Sequence, residues 1–203
     1  LARPGKDYSK ENGMRVLTVL TGTSPLVQHN IQLNDPDNHF TREIAALTSK
    51  RKKTDDDRVS IARLEFLGGL YVGRSGIHVP AANVRRCFER AGVVRRLGTA
   101  VNRAVIPVAL ELPLEHDGPS DPAALWDDPR YRYTTSVGIG RKRVIRTRPM
   151  FPAWTLQAEW ELITDALDFD DFKAVVNAAG IVEGLGDNRV NGYGRFTAEI
   201  KEL

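Results

Sequence analysis

The chain has almost no cysteine, no long apolar run and no close-set group of metal ligands, and each shortage removes a class of protein. One cysteine, Cys87, in 203 residues excludes an intrachain disulfide and a thiolate metal cage, and fits a reducing cytoplasm. No apolar run approaches the ~20 residues of a membrane-spanning helix. Residues 1–13 are polar and lack the apolar stretch of a secretory signal, so they read as a disordered tail or a cloning remnant, with one domain over 14–203. The four histidines, His29, His39, His78 and His116, lack zinc-like spacing, and no Gly-Lys-Ser/Thr phosphate loop or Gly-x-Ser-x-Gly nucleophile elbow occurs. No cofactor, metal or membrane partner is therefore expected.

What is present is an uneven charge. The net value is only +3, but residues 41–103 carry 14 Lys/Arg against 6 Asp/Glu, and 141–149 add five cations with no acid. Residues 104–140 and 150–203 are acidic. Basic segments separated along the chain suit a polyanion if folding brings them together. A hydrophobic content of 41%, with three Trp and seven Phe, supplies a core for one domain.

Periodicity predicts a strand at Arg15–Thr21, a helix over Phe40–Ser49, and a second helix from Thr54-Asp-Asp-Asp57 to a stop at Gly68-Gly69. A small hairpin brackets Gly73–Gly76, Pro80 opens a helix over Ala81–Ala91, and a basic connector over 92–103 leads to a strand over Ala104–Leu112. Glu115–Tyr133 reads as an acidic looped excursion with a short helix near Ala123–Trp126. Val144–Met150 and Trp154–Thr164 read as a pair of strands, the second alternating at period two with Trp154 and Trp160 inward. Asp168 caps a helix ending at Gly180, and Arg195–Ile200 closes the chain. With insertions of about 27–78 and 113–143 removed, the order becomes βαββαβ. That is an α+β, ferredoxin-like core of the kind RNA-recognition modules use, with bases stacking on an open sheet.

The segment Gly184–Phe196 carries four glycines (Gly184, Gly186, Gly192, Gly194) interleaved with Arg189, Tyr193 and Arg195. Exposed amides beside guanidinium groups suit a phosphate backbone. This loop resembles the glycine-rich loop of the repeat-associated mysterious protein (RAMP) superfamily. Ser24-Pro25-Leu26 is similar to that superfamily's Pro-Leu motif after the first strand, and Val79–Arg90 to its helix signature. The chain is also similar to short phage- or prophage-encoded proteins with the segments Leu47–Thr54 and Glu65–Leu70. The resemblance implies the core found in backbone subunits of CRISPR effector complexes. It also implies single-stranded RNA binding through phosphates, assembly head to tail along the strand, and endoribonuclease activity in some relatives.

The candidate contacts are Asn83, Arg85, Arg86 and Arg90 on the helix after Pro80, whose N-terminal amides could also take a phosphate. To these are added Lys50, Arg51, Lys52 and Lys53 as an arm, and Arg141, Arg143, Arg146 and Arg148 as a charged ribbon. Arg189, Tyr193 and Arg195 complete the set. Tyr71, Tyr131 and Tyr133 are further stacking candidates. The expected partner is single-stranded RNA, or DNA, with a homo-oligomer or filament forming on it. The alternatives are an endoribonuclease using His29 as a base, or Asp35 and Asp37 with a metal, and a viral decoy or nucleotide-binding protein.

Overall fold

The β-branched segment near the N-terminus forms β1 (Gly13–Gly22), the spine of the larger sheet. The computed structural model describes residues 13–140 and 142–203. The expected tail lies outside these apart from Gly13, which already pairs with Ile163. β9 (Trp154–Ile163) and β10 (Phe196–Glu202) flank β1, both antiparallel to it. Beyond β9 come β5 (Val105–Pro107) and β6 (Glu111–His116), then β4 (Gly76–Pro80) and β3 (Val72–Gly73). The molecule is thus a mixture of helices and antiparallel sheets.

The single strand expected over Ala104–Leu112 is divided. α4 (Gly98–Ala104) runs straight into β5, whose register with β9 stops at Pro107, with one further bond from Val108 N–H to Glu159 O at 3.1 Å. The chain bows out at Leu110, whose carbonyl accepts from Ala81 N–H at 2.9 Å, before β6 resumes pairing.

α3 (Ala81–Val93) and α6 (Phe169–Ala178) cover one face of the sheet. Trp154, Leu156, Ala158, Trp160 and Leu162 are all buried on that face, as the period-two pattern predicts. Phe88 meets Trp160 and Phe172 edge-on, at 5.6 and 6.1 Å between ring centroids. The indole of Trp160 donates to the buried Thr18 hydroxyl at 2.9 Å, so the core leaves this N–H satisfied. Asp168 caps α6 as expected, accepting from Asp171 N–H. Gly180 does not stop the helix. The chain continues through a π-helical turn, Ala179–Glu183, and a Cβ at Gly180 would lie 2.1 Å from the Phe196 carbonyl of the crossing β10.

The two insertions pack on each other. The first holds β2 (Leu26–Val27), α1 (His39–Thr48) and α2 (Asp55–Gly69). The second is no simple loop: it contains α5 (Pro122–Asp127) and β7 (Arg132–Ile139). With β8 (Lys142–Phe151) they make a second sheet, ordered β2-β8-β7, against which α2 lies. β8 and β9 are therefore not paired with each other. Phe151, fully buried against His116 and Tyr131, ties the end of β8 into the second sheet before the chain turns into β9. Thr54 and Asp57 form a capping box at the start of α2. The helix ends at Gly69, where the Gly68-Gly69 stop was expected, and both glycines are also closely packed: a Cβ there would meet Leu33 at 2.6 Å and Pro149 at 2.8 Å. Among the described residues, no helix is long and apolar enough to cross a membrane.

Candidate nucleic-acid interface

Three segments singled out from the sequence adjoin one another. The glycine-rich loop is fastened to the Ser24-Pro25-Leu26 turn by Gly194 N–H donating to Pro25 O and Asp187 N–H to Val27 O, each at 2.8 Å. Ser24 reinforces this: its hydroxyl donates to Gly192 O and accepts from Arg195 N–H, both at 2.8 Å. The third segment, α3, reaches the loop through the Cys87 thiol, which donates to Gly184 O at 3.1 Å. Burial pushes that thiol up to about 12, so Cys87 is a neutral packing group and not a nucleophile.

Between α3, the loop and β2 lies a cavity of about 250 Å³. Asn83 and Arg86 enter it from α3, Gly186 and Arg189 from the loop, and His29 and Tyr71 from the first insertion. Tyr71 is held by its hydroxyl on His29 O (3.3 Å) and its N–H on the buried Gln28 side chain (3.0 Å). His29 Nδ1 is buried and has no acceptor or donor partner among the described residues. Arg189 continues into an adjoining cavity of about 320 Å³ with Arg90 and Arg195. Arg195 donates through Nη2 to Arg189 O at 3.2 Å, while its buried Nη1 is likewise without a protein acceptor among the described residues. Arg195 Nη1, and His29 Nδ1 in the tautomer that carries its proton there, suit the oxygens of a phosphate, while the Asp187 carboxylate beside them meets Arg148.

Charge at this site is smaller than the arginine count suggests. Glu183 binds both Arg90 (2.6 Å) and Arg189, Asp187 pairs with Arg148, Glu65 with Arg146, and Glu89 with Arg86 (2.6 Å). Five arginines thus face four carboxylates, and Arg195 adds a sixth cation, leaving a modest positive excess. The acids hold the arginine side chains in place, so less rotamer freedom is lost when an anion arrives.

Other expected contacts lie elsewhere. Arg85 sits beside Glu89 on another side of α3 and does not line the cavity. The first of the α3 amides is not open to a phosphate, because Ala81 N–H is taken by Leu110 O. Lys50, Arg51, Lys52 and Lys53 are exposed between α1 and α2 and line neither cavity; Lys50 pairs with Asp57 at 2.6 Å, and Lys53 donates to Lys50 O. Arg143 is engaged across the β7–β8 hairpin with Ser136, and Arg141 lies outside the described residues. Arg146 and Arg148 are part-buried ion-pair members instead of an exposed ribbon. Asp35 and Asp37 sit on an exposed turn before α1, away from the cavity, with Asp35 accepting Asp37 N–H. Among the described residues there is no cluster of three or more His, Cys, Asp or Glu suited to a metal.

The aromatic platforms are also revised. Tyr193 is half-buried and packs on Tyr133 at 5.0 Å between centroids, so it shapes the loop. Tyr131 belongs to the core, its hydroxyl donating to Asp117 at 2.6 Å. The open face of the larger sheet presents Leu17, Val19, Thr21, Thr155, Gln157 and Thr197, with Glu159 and Glu161 paired to Arg15 and Glu199 paired to Lys201. It carries no aromatic ring on β1, β9 or β10, and base stacking in the manner of RNA-recognition modules is therefore not available there.

Gln28, Asp187 and Glu183 were not foreseen. A buried Gln28 bridging Tyr71 N–H and His78 O (2.9 Å) has no sequence signal beyond following the apolar Leu26-Val27. The two acids were hidden by their position in an acidic C-terminal third. Comparison with protein-family models and with curated proteins finds no match for this chain.

His29 gives the site a pH signature. Burial, then the neighbouring Arg148 and Arg146, hold its pKa below the ordinary histidine value of 6.5, with Asp187 opposing. The unfolded chain therefore takes up a proton that folded His29 resists, and this costs stability as pH falls through the ordinary histidine range. A bound phosphate favours the imidazolium, so binding is coupled to proton uptake. Anion affinity should rise on acidification, by at most about tenfold per pH unit for one proton, and His29→Gln should abolish that dependence. Binding isotherms at a series of pH values check this. An affinity that falls on acidification contradicts it.

Proposed function

We propose that the protein binds single-stranded nucleic acid, RNA in the first place, by its phosphate backbone at the cavity between α3 and the glycine-rich loop. The single observation that carries this reading is the meeting of Arg86, Arg189 and His29, remote in sequence, around one small cavity of mixed polarity. The proposed core is ferredoxin-like. What supports it is the spatial order of the four central strands, β10-β1-β9-β5/β6, all antiparallel, with α3 and α6 on one side. RAMP kinship is part of the same proposal, supported by the contact among the three resembling segments. Assembly of several copies along one strand belongs to it as well.

A second reading, cleavage of RNA, is favoured by His29. Its unpartnered Nδ1 beside the cavity and its depressed pKa give a neutral imidazole at pH 7, as a general base requires.

The test is gel-shift titration of a single-stranded RNA against salt. About two phosphate contacts give a slope of log affinity on log salt near −1.4. Stepwise ladders on longer RNA mark assembly, and intact RNA after prolonged incubation discards the cleavage reading. Failure to bind RNA or DNA at low salt overturns the proposal.

A further inference from the structure

A second cavity opens on the far side of His29. It measures about 510 Å³ and lies between α1 and the β7–β8 hairpin. One wall is apolar, with Leu33, Ile44 and Ala45 on the α1 side and Val137 on the hairpin. The other carries Arg146 and Thr147. Among the described residues, His29 alone lines both this space and the cavity holding Arg86 and Arg189. The two are linked again by the ion pair between Asp187, in the first, and Arg148, in the second. α1 contributes no fully buried residue, so its apolar stripe borders a slot and not a sealed core.

We infer that this slot receives one base of the bound strand, unstacked from its neighbours, while the adjoining phosphate sits in the first cavity. The inference rests on the backbone-binding reading and adds a base subsite to it. A nucleotide joins a flat, largely apolar ring to an anion a few bonds away, and here a mixed slot and an anion cavity share one wall. The volume is in the range of sites that enclose small ligands. Apolar side chains can cover the ring faces, while Thr41, Thr48 and Arg146 can meet its polar edges.

Val137 lines the slot from β7 and shares a face of the β7–β8 ladder with Arg146 and Arg148, whereas a side chain at the neighbouring Gly138 would leave from the opposite face. Val137 is only part-buried, so Val137→Trp fills the slot with the fold kept. Wild-type protein and this variant are each titrated with a short single-stranded RNA and with its abasic analogue, which keeps the phosphates and lacks the bases. Wild type should prefer the base-bearing strand by about tenfold or more, and the variant should lose that preference while keeping its affinity for the abasic strand. Equal wild-type affinity for the two strands, or a preference that survives Val137→Trp, overturns the slot and leaves backbone binding intact. No binding of either strand defeats backbone binding itself, and the slot with it. A free nucleoside monophosphate carries the same two groups. If it displaces RNA from wild type but not from Val137→Trp, the slot stands with the free nucleotide as its occupant.

Discussion

Gly194→Ala should destabilise the protein by more than about 3 kcal/mol and abolish binding. Gly194 holds φ at +69°, where a side chain costs about 1–2 kcal/mol by itself. Its Cβ would also fall 1.8 Å from the Leu185 carbonyl oxygen, a position two atoms cannot share. The two strands of the loop must then separate. That breaks the hydrogen bond from Leu185 N–H to Gly194 O (2.8 Å), and with it the bond from Gly194 N–H to Pro25 O. For a chain of this length each kcal/mol moves the melting temperature by roughly 2–4 °C, so a fall of about 10 °C is expected. Gly192→Ala is the control. Its φ is +86°, but nothing lies within 4 Å of the added Cβ, so only the backbone term of about 1–2 kcal/mol applies. Thermal melts in which the two variants behave alike would remove close approach from the account of the loop.

Much of this framework could be read in the residues. The alternation of Trp154 to Leu162, the Thr54 and Asp168 caps and the β-branched run of β1 obey local rules, and each appears where those rules put it. The loop, the Pro-Leu turn and α3 were separately conspicuous, though their contact could not be derived from spacing. What escaped was decided by packing between segments remote in sequence. Gly68-Gly69 end α2 as local propensity expects, but that Leu33 and Pro149 press on these two glycines could not be read from spacing. β8 looked like the partner of β9 because a short connection normally means pairing, and only the burial of Phe151 beside His116 and Tyr131 redirects it. Counting arginines overstated the site's charge for the same reason. Glu65 is 81 residues from Arg146 in sequence, and Asp187 lies in a different element from its partner Arg148. The RNA-recognition analogy failed on chemistry: the open sheet face carries Arg–Glu and Lys–Glu pairs and, on β1, β9 and β10, no ring for a base to meet.

Removing Arg86 and Arg189 together should cut affinity for single-stranded RNA about a hundredfold. Each is expected to make a charge-assisted bond to phosphate, at roughly 1.5 kcal/mol or more, and two such bonds give about 3 kcal/mol. That converts to about two decades in the dissociation constant. The fold should survive, because neither loss strands a carboxylate. Glu183 keeps Arg90 when Arg189 is gone, and Glu89 keeps a hydrogen bond to Asn102 when Arg86 is gone. The salt slope should flatten as well, since those two phosphates no longer release counterions through these groups.

The central claim is spatial: cations far apart in the chain act as one site, and their number alone does not set affinity. The most direct measurement compares Arg86→Ala/Arg189→Ala with Arg51→Ala/Lys52→Ala, which removes the same charge from the exposed segment between α1 and α2. At physiological salt, where exposed charges are screened beyond about 8 Å, the second pair should change affinity by no more than about threefold. A hundredfold loss in the first variant beside near-normal binding in the second is the predicted result. Equal losses in the two would contradict the account.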